Sequence, residues 1–227
     1  MSRLIKQKKG EEQCFICDEI ATTRDNIPPA CIFPHPAPTD LLRVPACKQH
    51  NEGSSKDDEY FRFFVAANAL GSDQAHGIIK DRVVEKAKSK PKLLDSIMRN
   101  AHSKIEIRTP AGIILGHQPG FKYNRKRISN IFNKIVRGLF YYHFKQRLSD
   151  EYEVGEFLIL YSVPDTLKEH LNNIELHETK DRAFGYKFKT NESNINESIW
   201  FFRFYNGQVF YCVCTHKKEQ KRKGTGL

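Results

Sequence analysis

Cys14-Phe15-Ile16-Cys17 and Cys47-Lys48-Gln49-His50 are two ligand pairs, each with a gap of two residues. That gap lets both side chains of a knuckle reach one tetrahedral ion, and a Cys3His set suits structural Zn2+. The stretch from residue 13 to about 55 is rich in Cys, Pro and turn formers and has no helical periodicity. A segment so short of apolar pattern needs a staple to hold a shape. Cys14, Cys17, Cys47 and His50 are therefore the expected zinc ligands, ahead of the alternative of buried thiols beside a solvent-facing imidazole.

Between the pairs lies Asp25-Asn26-Ile27-Pro28-Pro29, and Asn51 follows the last ligand directly. The order C-x-x-C, Asp-Asn-Ile-Pro-Pro, Val44-Pro45-Ala46-Cys47-x-x-His50-Asn51 and then an acidic helix start runs over roughly residues 14 to 61. It resembles the zinc-stapled HNH (ββα-metal) endonucleases, a group that includes phage junction resolvases. The resemblance implies hydrolysis of phosphodiester bonds in DNA with one Mg2+ or Mn2+. By it, the residue matching Asp25 holds that ion, and the one matching Asn51 supplies a second ligand or fixes the loop. A hard divalent ion takes such oxygen ligands and stabilises the charge that develops on a scissile phosphate. Host defence or a mobile element is the setting the family suggests.

The chain departs from that pattern at the general base, where Asn26 stands in place of His. An amide does not accept a proton near neutral pH, and loss of general-base catalysis forfeits about 10²–10⁴-fold in rate. Three explanations compete: a degenerate member that binds without cutting, an enzyme that recruits another base, and a His-to-Asn change made to trap a substrate complex. The intact surroundings of Asn26 fit the last well. Replacement candidates are few. His35 lies in a Pro-rich loop, and Asp57, Asp58 and Glu59 could complete the ion site or simply favour a helix N-terminus.

Several elements must position these residues. Ser54 and the run SSKDDEYFRFFVAANAL read as a capped helix that ends at Gly71. Further helices are expected over Ile79–Ala87 and Leu93–Ala101, then a strand pair, IEIRT and GIILG, turning at Pro110-Ala111-Gly112. Ile128, Ile131, Phe132, Ile135, Val136, Leu139 and Phe140 recur at three and four residues, one stripe of a long helix from about Arg125 to Arg147. The remainder alternates like a sheet: EFLILYSV, a short helix at DTLKEHL, FGYKFKT, SIWFFRFY and, after the Asn206-Gly207 turn, QVFYCVC. The expected fold class is α+β: a basic leader (1–12), a zinc-stapled ββα-metal finger (13–71), a mixed helix and antiparallel-sheet domain (72–215) and a basic tail (216–227).

A formal charge of +10 and a pI near 9.3 favour an acidic partner such as DNA, since each neutralised phosphate releases counterions. Arg24, Lys48 and Lys56 flank the loops, while Arg125, Lys126, Arg127, Lys134 and Arg137 decorate the long helix. Each could meet a phosphate, and for the helix a solvated face explains the charges equally well. No apolar run nears the roughly 20 residues of a membrane span, and the start lacks a secretory signal. A cytoplasmic protein with reduced thiols is expected. Cys31, Cys212 and Cys214 read as small core residues. The aromatic residues from Trp200 to Tyr211 could stack unpaired bases, although a sheet core accounts for them better. A homodimer, an activating partner protein and a protein-interaction adaptor built on the C-terminal sheet stay open, as does a zinc-finger module that binds nucleic acid without cutting.

Overall fold

The computed structural model describes residues 12–33, 36–68, 101–108, 111–121, 123–155, 158–160, 165–205, 207 and 209–217. The helices expected at Ile79–Ala87 and Leu93–Ala101 lie outside these residues, apart from Ala101, as do His35, Pro110, Asn206, Gly71 and most of the two basic ends.

The described chain is mixed α+β with antiparallel sheets. Strand β1 (Thr23–Ile27) pairs with β2 (Leu42–Ala46), Asp25 opposite Val44 and Asn26 opposite Arg43. A one-turn 3-10 helix at Ala30–Ile32 lies between them. A short helix α1 (Lys48–Glu52) then leads into α2 (Ser55–Asn68). The loop-rich stretch assigned to the expected finger carries two short strands and a helical turn. Strand β1, Thr-Arg-Asp-Asn-Ile, shows no apolar alternation because the buried position in its middle is Asp25.

Strands β3 (Ala101–Arg108) and β4 (Ile114–Phe121) form the expected hairpin, longer than IEIRT and GIILG and irregular after His102 and after Ile107. Ala101, expected to end a helix, begins β3. The long helix α3 spans Arg125–Phe144. Asn124 caps it by accepting from the Arg127 amide, and Lys145 ends it in a left-handed conformation, φ 55°, short of the expected Arg147.

The C-terminal sheet runs β5 (Tyr152–Val154), β10 (Val209–His216), β9 (Asn194–Phe204), β8 (Phe184–Asn191) and β7 (His177–Glu178). Strand β6 (Leu158–Leu160) also pairs with β10. Of the strand expected at EFLILYSV (residues 156–163), β6 is the described part; β5 precedes it and was not expected, and after β5 the Gly155 amide donates to Val213 O. Helix α4 (Asp165–Asn172) follows β6. Among the described residues no helix is long and apolar enough to cross a membrane.

One buried cluster runs through α2, α3 and the sheet. Phe132 packs at 5.4 Å from both Phe61 and Phe210 and at 5.6 Å from Phe202, so the stripe on α3 faces the sheet and α2 together. Ring pairs at these separations add to ordinary apolar burial. The same helix approaches β1 closely: a Cβ on Gly138 would fall 2.5 Å from Ile27 Cγ1, so only glycine leaves room. Trp200, Phe202, Phe204, Phe210, Cys212 and Cys214 are all core residues, which leaves those rings no free face for bases.

Candidate metal centre

The two knuckles are shaped by backbone hydrogen bonds. The Cys14 amide donates to Glu19 O, the Phe15 amide to Pro45 O and the Thr22 amide to Ala46 O, which folds residues 12–22 against β2. Cys47 is the N-cap of α1 and His50 lies one turn later, so the second pair projects from a helix start. Four ligand atoms, from Cys14, Cys17, Cys47 and His50, lie within 4.8 Å of one another. Cys14 Sγ is 3.5 Å and Cys47 Sγ 3.3 Å from His50 Nδ1, and Cys17 Sγ is 3.9 Å from Cys47 Sγ. A tetrahedron with Zn–S of about 2.3 Å and Zn–N of about 2.0 Å has edges of about 3.5 to 3.8 Å. The donor set therefore fits a metal such as zinc.

Local electrostatics agree with that fit at Cys14 and His50 and oppose it at Cys17. At Cys14, burial is outweighed by backbone N–H groups of Cys47, Ile16 and Cys17, so the thiol is held below its usual range. Burial pushes the Cys17 thiol up to about 11. Burial, with the Lys134 charge, holds His50 below its usual range and so in the neutral form that ligates. Binding a metal would displace the thiol protons, which makes affinity depend on pH. Cys212 and Cys214 are different. Both are buried and pushed up by that burial, Cys214 to about 11, with no ligand cluster around them among the described residues.

Beside the ligand cluster is a second polar one. Asp25 points inward from β1 and is 6% exposed; Lys134, from the middle of α3, is 5% exposed. Lys134 Nζ lies 2.8 Å from Asp25 Oδ2, 3.5 Å from Asp58 Oδ2 and 2.7 Å from Ser54 Oγ. Burial raises Asp25 and Asp58 above the usual carboxylate range, and the Lys134 charge opposes that rise at both. Asn51 is oriented elsewhere: its Nδ2 donates to Thr23 Oγ1 at 3.0 Å and to Arg24 O at 3.5 Å, tying α1 to β1.

Adjacent residues on a strand face opposite ways. Asn26 accordingly lies on the outer face of the hairpin, with Arg24 on its own strand and Arg43 across from it. Arg43 is exposed and was not singled out by sequence reasoning; its place opposite Asn26 depends on a register that no local signal fixes. The other expected phosphate contacts divide. Lys56, Lys126 and Arg125 are exposed. Arg24 pairs with Glu12 and Lys48 with Glu52. Arg127 is occupied: its Nε donates to Asp57 Oδ1 at 2.6 Å, and its guanidinium covers the Tyr60 ring, latching α3 to α2. Arg137 donates to Leu148 O and Tyr152 O inside the fold. Glu59 pairs with Arg62 on its own helix.

No protein-family profile matches the chain, and neither does any curated protein or solved structure.

Proposed function

We propose that this chain is a zinc-stapled finger protein of the HNH type that acts on DNA, and that it is disabled for hydrolysis as its sequence stands. The observation that carries this reading is a convergence. Strand, strand and helix follow one another as β1, β2 and α2, and a carboxylate from β1 (Asp25) meets one from the first turn of α2 (Asp58) beside the Cys3His cluster. Zinc on Cys14, Cys17, Cys47 and His50 would be structural, closing four positions and leaving none for substrate.

The hydrolytic half of the family's chemistry does not fit the side chains as they are folded. Asn26 cannot take a proton, and the charge on Asp25 is met by Lys134. No step through Mg2+ or Mn2+ is therefore derived. What this chain's own residues offer is exposed basic side chains: Arg43 opposite Asn26, Arg24, paired with Glu12, on the same strand, and Lys56, Lys126 and Arg125 on α2 and α3, in a chain of net charge +10. Phosphate contacts of that kind give affinity that falls steeply with salt.

The test is duplex binding by fluorescence anisotropy across a salt series, run beside plasmid cleavage in Mg2+ or Mn2+, for the chain and for Asn26→His. Salt-dependent binding with cutting restored in Asn26→His makes the chain an endonuclease missing its base. Binding with no cutting by either makes it a non-catalytic module, the reading that the buried Lys134 favours. No salt-dependent binding by either protein removes the nucleic-acid reading and leaves the C-terminal sheet as the working surface.

A further inference from the structure

Asp25, Asp58 and Ser54 bring two carboxylates and a hydroxyl to one buried point from β1, from α2 and from the residue before α2. Ser54 Oγ also lies 3.1 Å from Asp58 Oδ2, so the oxygens are mutually held as well as convergent. Two anions this close and this dry need a cation, because burial penalises each charge and each penalises the other. The cation is supplied by a side chain. Lys134 reaches the point from α3, where its neighbours Ile131, Phe132, Ile135 and Val136 belong to the apolar core. Lysine at such a position is costly unless paired, and its ammonium donates to Ser54 Oγ and lies within ion-pair distance of Asp25 and Asp58 here.

The compensation is incomplete. One ammonium faces two carboxylates, and Asp58 Oδ1 is buried without a hydrogen-bond partner. A divalent ion would balance both charges, and two carboxylates with a hydroxyl form an oxygen set that hard ions accept.

We propose that Lys134 is the resident cation of the finger: its ammonium takes the place a divalent ion would hold between Asp25 and Asp58, so the folded chain takes up no divalent ion there. Removing the ammonium opens a hard-cation site on Asp25, Asp58 and Ser54. This rests on the reading of the strand–helix carboxylate pair as the ion position of an HNH-type finger. It goes further by making the occupant a residue of the chain itself, so that the finger needs no second metal to hold its fold.

The experiment is a Mn2+ titration of the zinc-loaded protein, with free Mn2+ followed by electron paramagnetic resonance. Wild type is expected to show no uptake that depends on Asp58. Lys134→Met is expected to take up one equivalent at least tenfold more tightly, and Lys134→Met with Asp58→Asn to lose it. An equivalent bound by wild type and lost with Asp58→Asn overturns the proposal, and so does a folded Lys134→Met that binds none. Should Lys134→Met not fold alone, refolding in Mn2+ decides: recovery of folded protein supports the proposal and failure to recover overturns it. DNA binding, measured in parallel on wild type, separates the two readings. Loss of the DNA reading with the Mn2+ result as expected leaves Lys134 in its role, while Mn2+ uptake by wild type with DNA binding intact removes that role alone.

Discussion

Residues 12–52 and the layer formed by α2, α3 and the C-terminal sheet hold their shapes by different means. The first has short strands, one turn of helix and four ligand atoms gathered within 4.8 Å, and its buried apolar side chains, Phe15, Ile27, Ile32, Phe33 and Val44, join the common core. The second is an aromatic core in which Phe61, Phe132, Phe202, Phe204 and Phe210 touch across three elements. The difference lies in where the constraint resides. With a metal on the Cys3His cluster, a few bonds would fix many residues and each ligand would count. In the packed region the stabilisation is spread over many contacts, so single losses are graded. Where the two meet, the contact is tight and partly polar: Gly138 against Ile27, Arg147 against Asp18, and Lys134 between Asp25 and Asp58.

The sharpest way to break the comparison is to remove the metal. Structural zinc sites contribute about 10–16 kcal/mol in small finger peptides. Chelation, or Cys47→Ala, is expected to expose the amides of residues 12–52 to hydrogen exchange while protection persists in β8 to β10. Equal loss in both regions would mean that the staple holds the whole chain. Metal analysis of the untreated protein should give one zinc per chain.

Phe132→Ala is the reciprocal test. It empties the centre of the aromatic layer and is expected to cost about 3–5 kcal/mol in chemical denaturation, with one zinc still bound per folded chain. Loss of zinc from the folded variant would show that the core, and not the ligands alone, sets the geometry of the staple.

Gly138→Ala probes the seam. The added methyl has no room beside Ile27, so a loss of about 1–3 kcal/mol is expected. If the clash with Ile27 Cγ1 is the cause, Ile27→Ala should cost less in the Gly138→Ala background than in wild type, which thermal melts of the single and double variants would read.

The smallest effect is a dependence on pH confined to the packed region. His143 donates to or accepts from Tyr186 Oη at 3.0 Å and stacks beside Phe188. Burial first, and the neighbouring His177 second, hold its pKa at about 4. In the unfolded chain it titrates near its ordinary value, so between the two values the unfolded state binds more protons. Its contribution is thus complete above the ordinary histidine range and is lost as pH falls toward 4. With discount for its partial exposure, this amounts to on the order of 1–2 kcal/mol. His143→Phe is expected to flatten the fall in melting temperature between neutral pH and pH about 4.5. An unchanged acid limb would assign that loss to other groups.

Much of the packed region was legible because its signals are local. The stripe from Ile128 to Phe140 gave α3 to within three residues at its C-terminus, and alternation gave β8, β9 and β10. The end at Phe144 was not legible, since a left-handed Lys145 carries no glycine to announce it. The hairpin between β8 and β9 was missed although Asn191 supplies a signal, its side chain accepting from the Ser193 amide. In the stapled region the ligand pairs were readable from spacing, and β1, which carries Asp25, was not, because a buried carboxylate breaks the apolar alternation.

What the sequence determined by itself is the ligand set, the apolar stripe and the absence of a base at position 26, because each is a property of residue type and of spacing within a few turns. Tertiary structure alone decided which charges are spent and which are free. Lys134 read as one more cation on a solvated helix; instead it is buried against carboxylates from β1 and α2, more than seventy residues earlier in the chain. Arg127, a candidate for phosphate, serves as a latch to Asp57, while the unremarked Arg43 stands exposed opposite Asn26. The reason is physical: a charge is placed by the elements that pack around it, and packing partners distant in sequence leave no periodic trace in it.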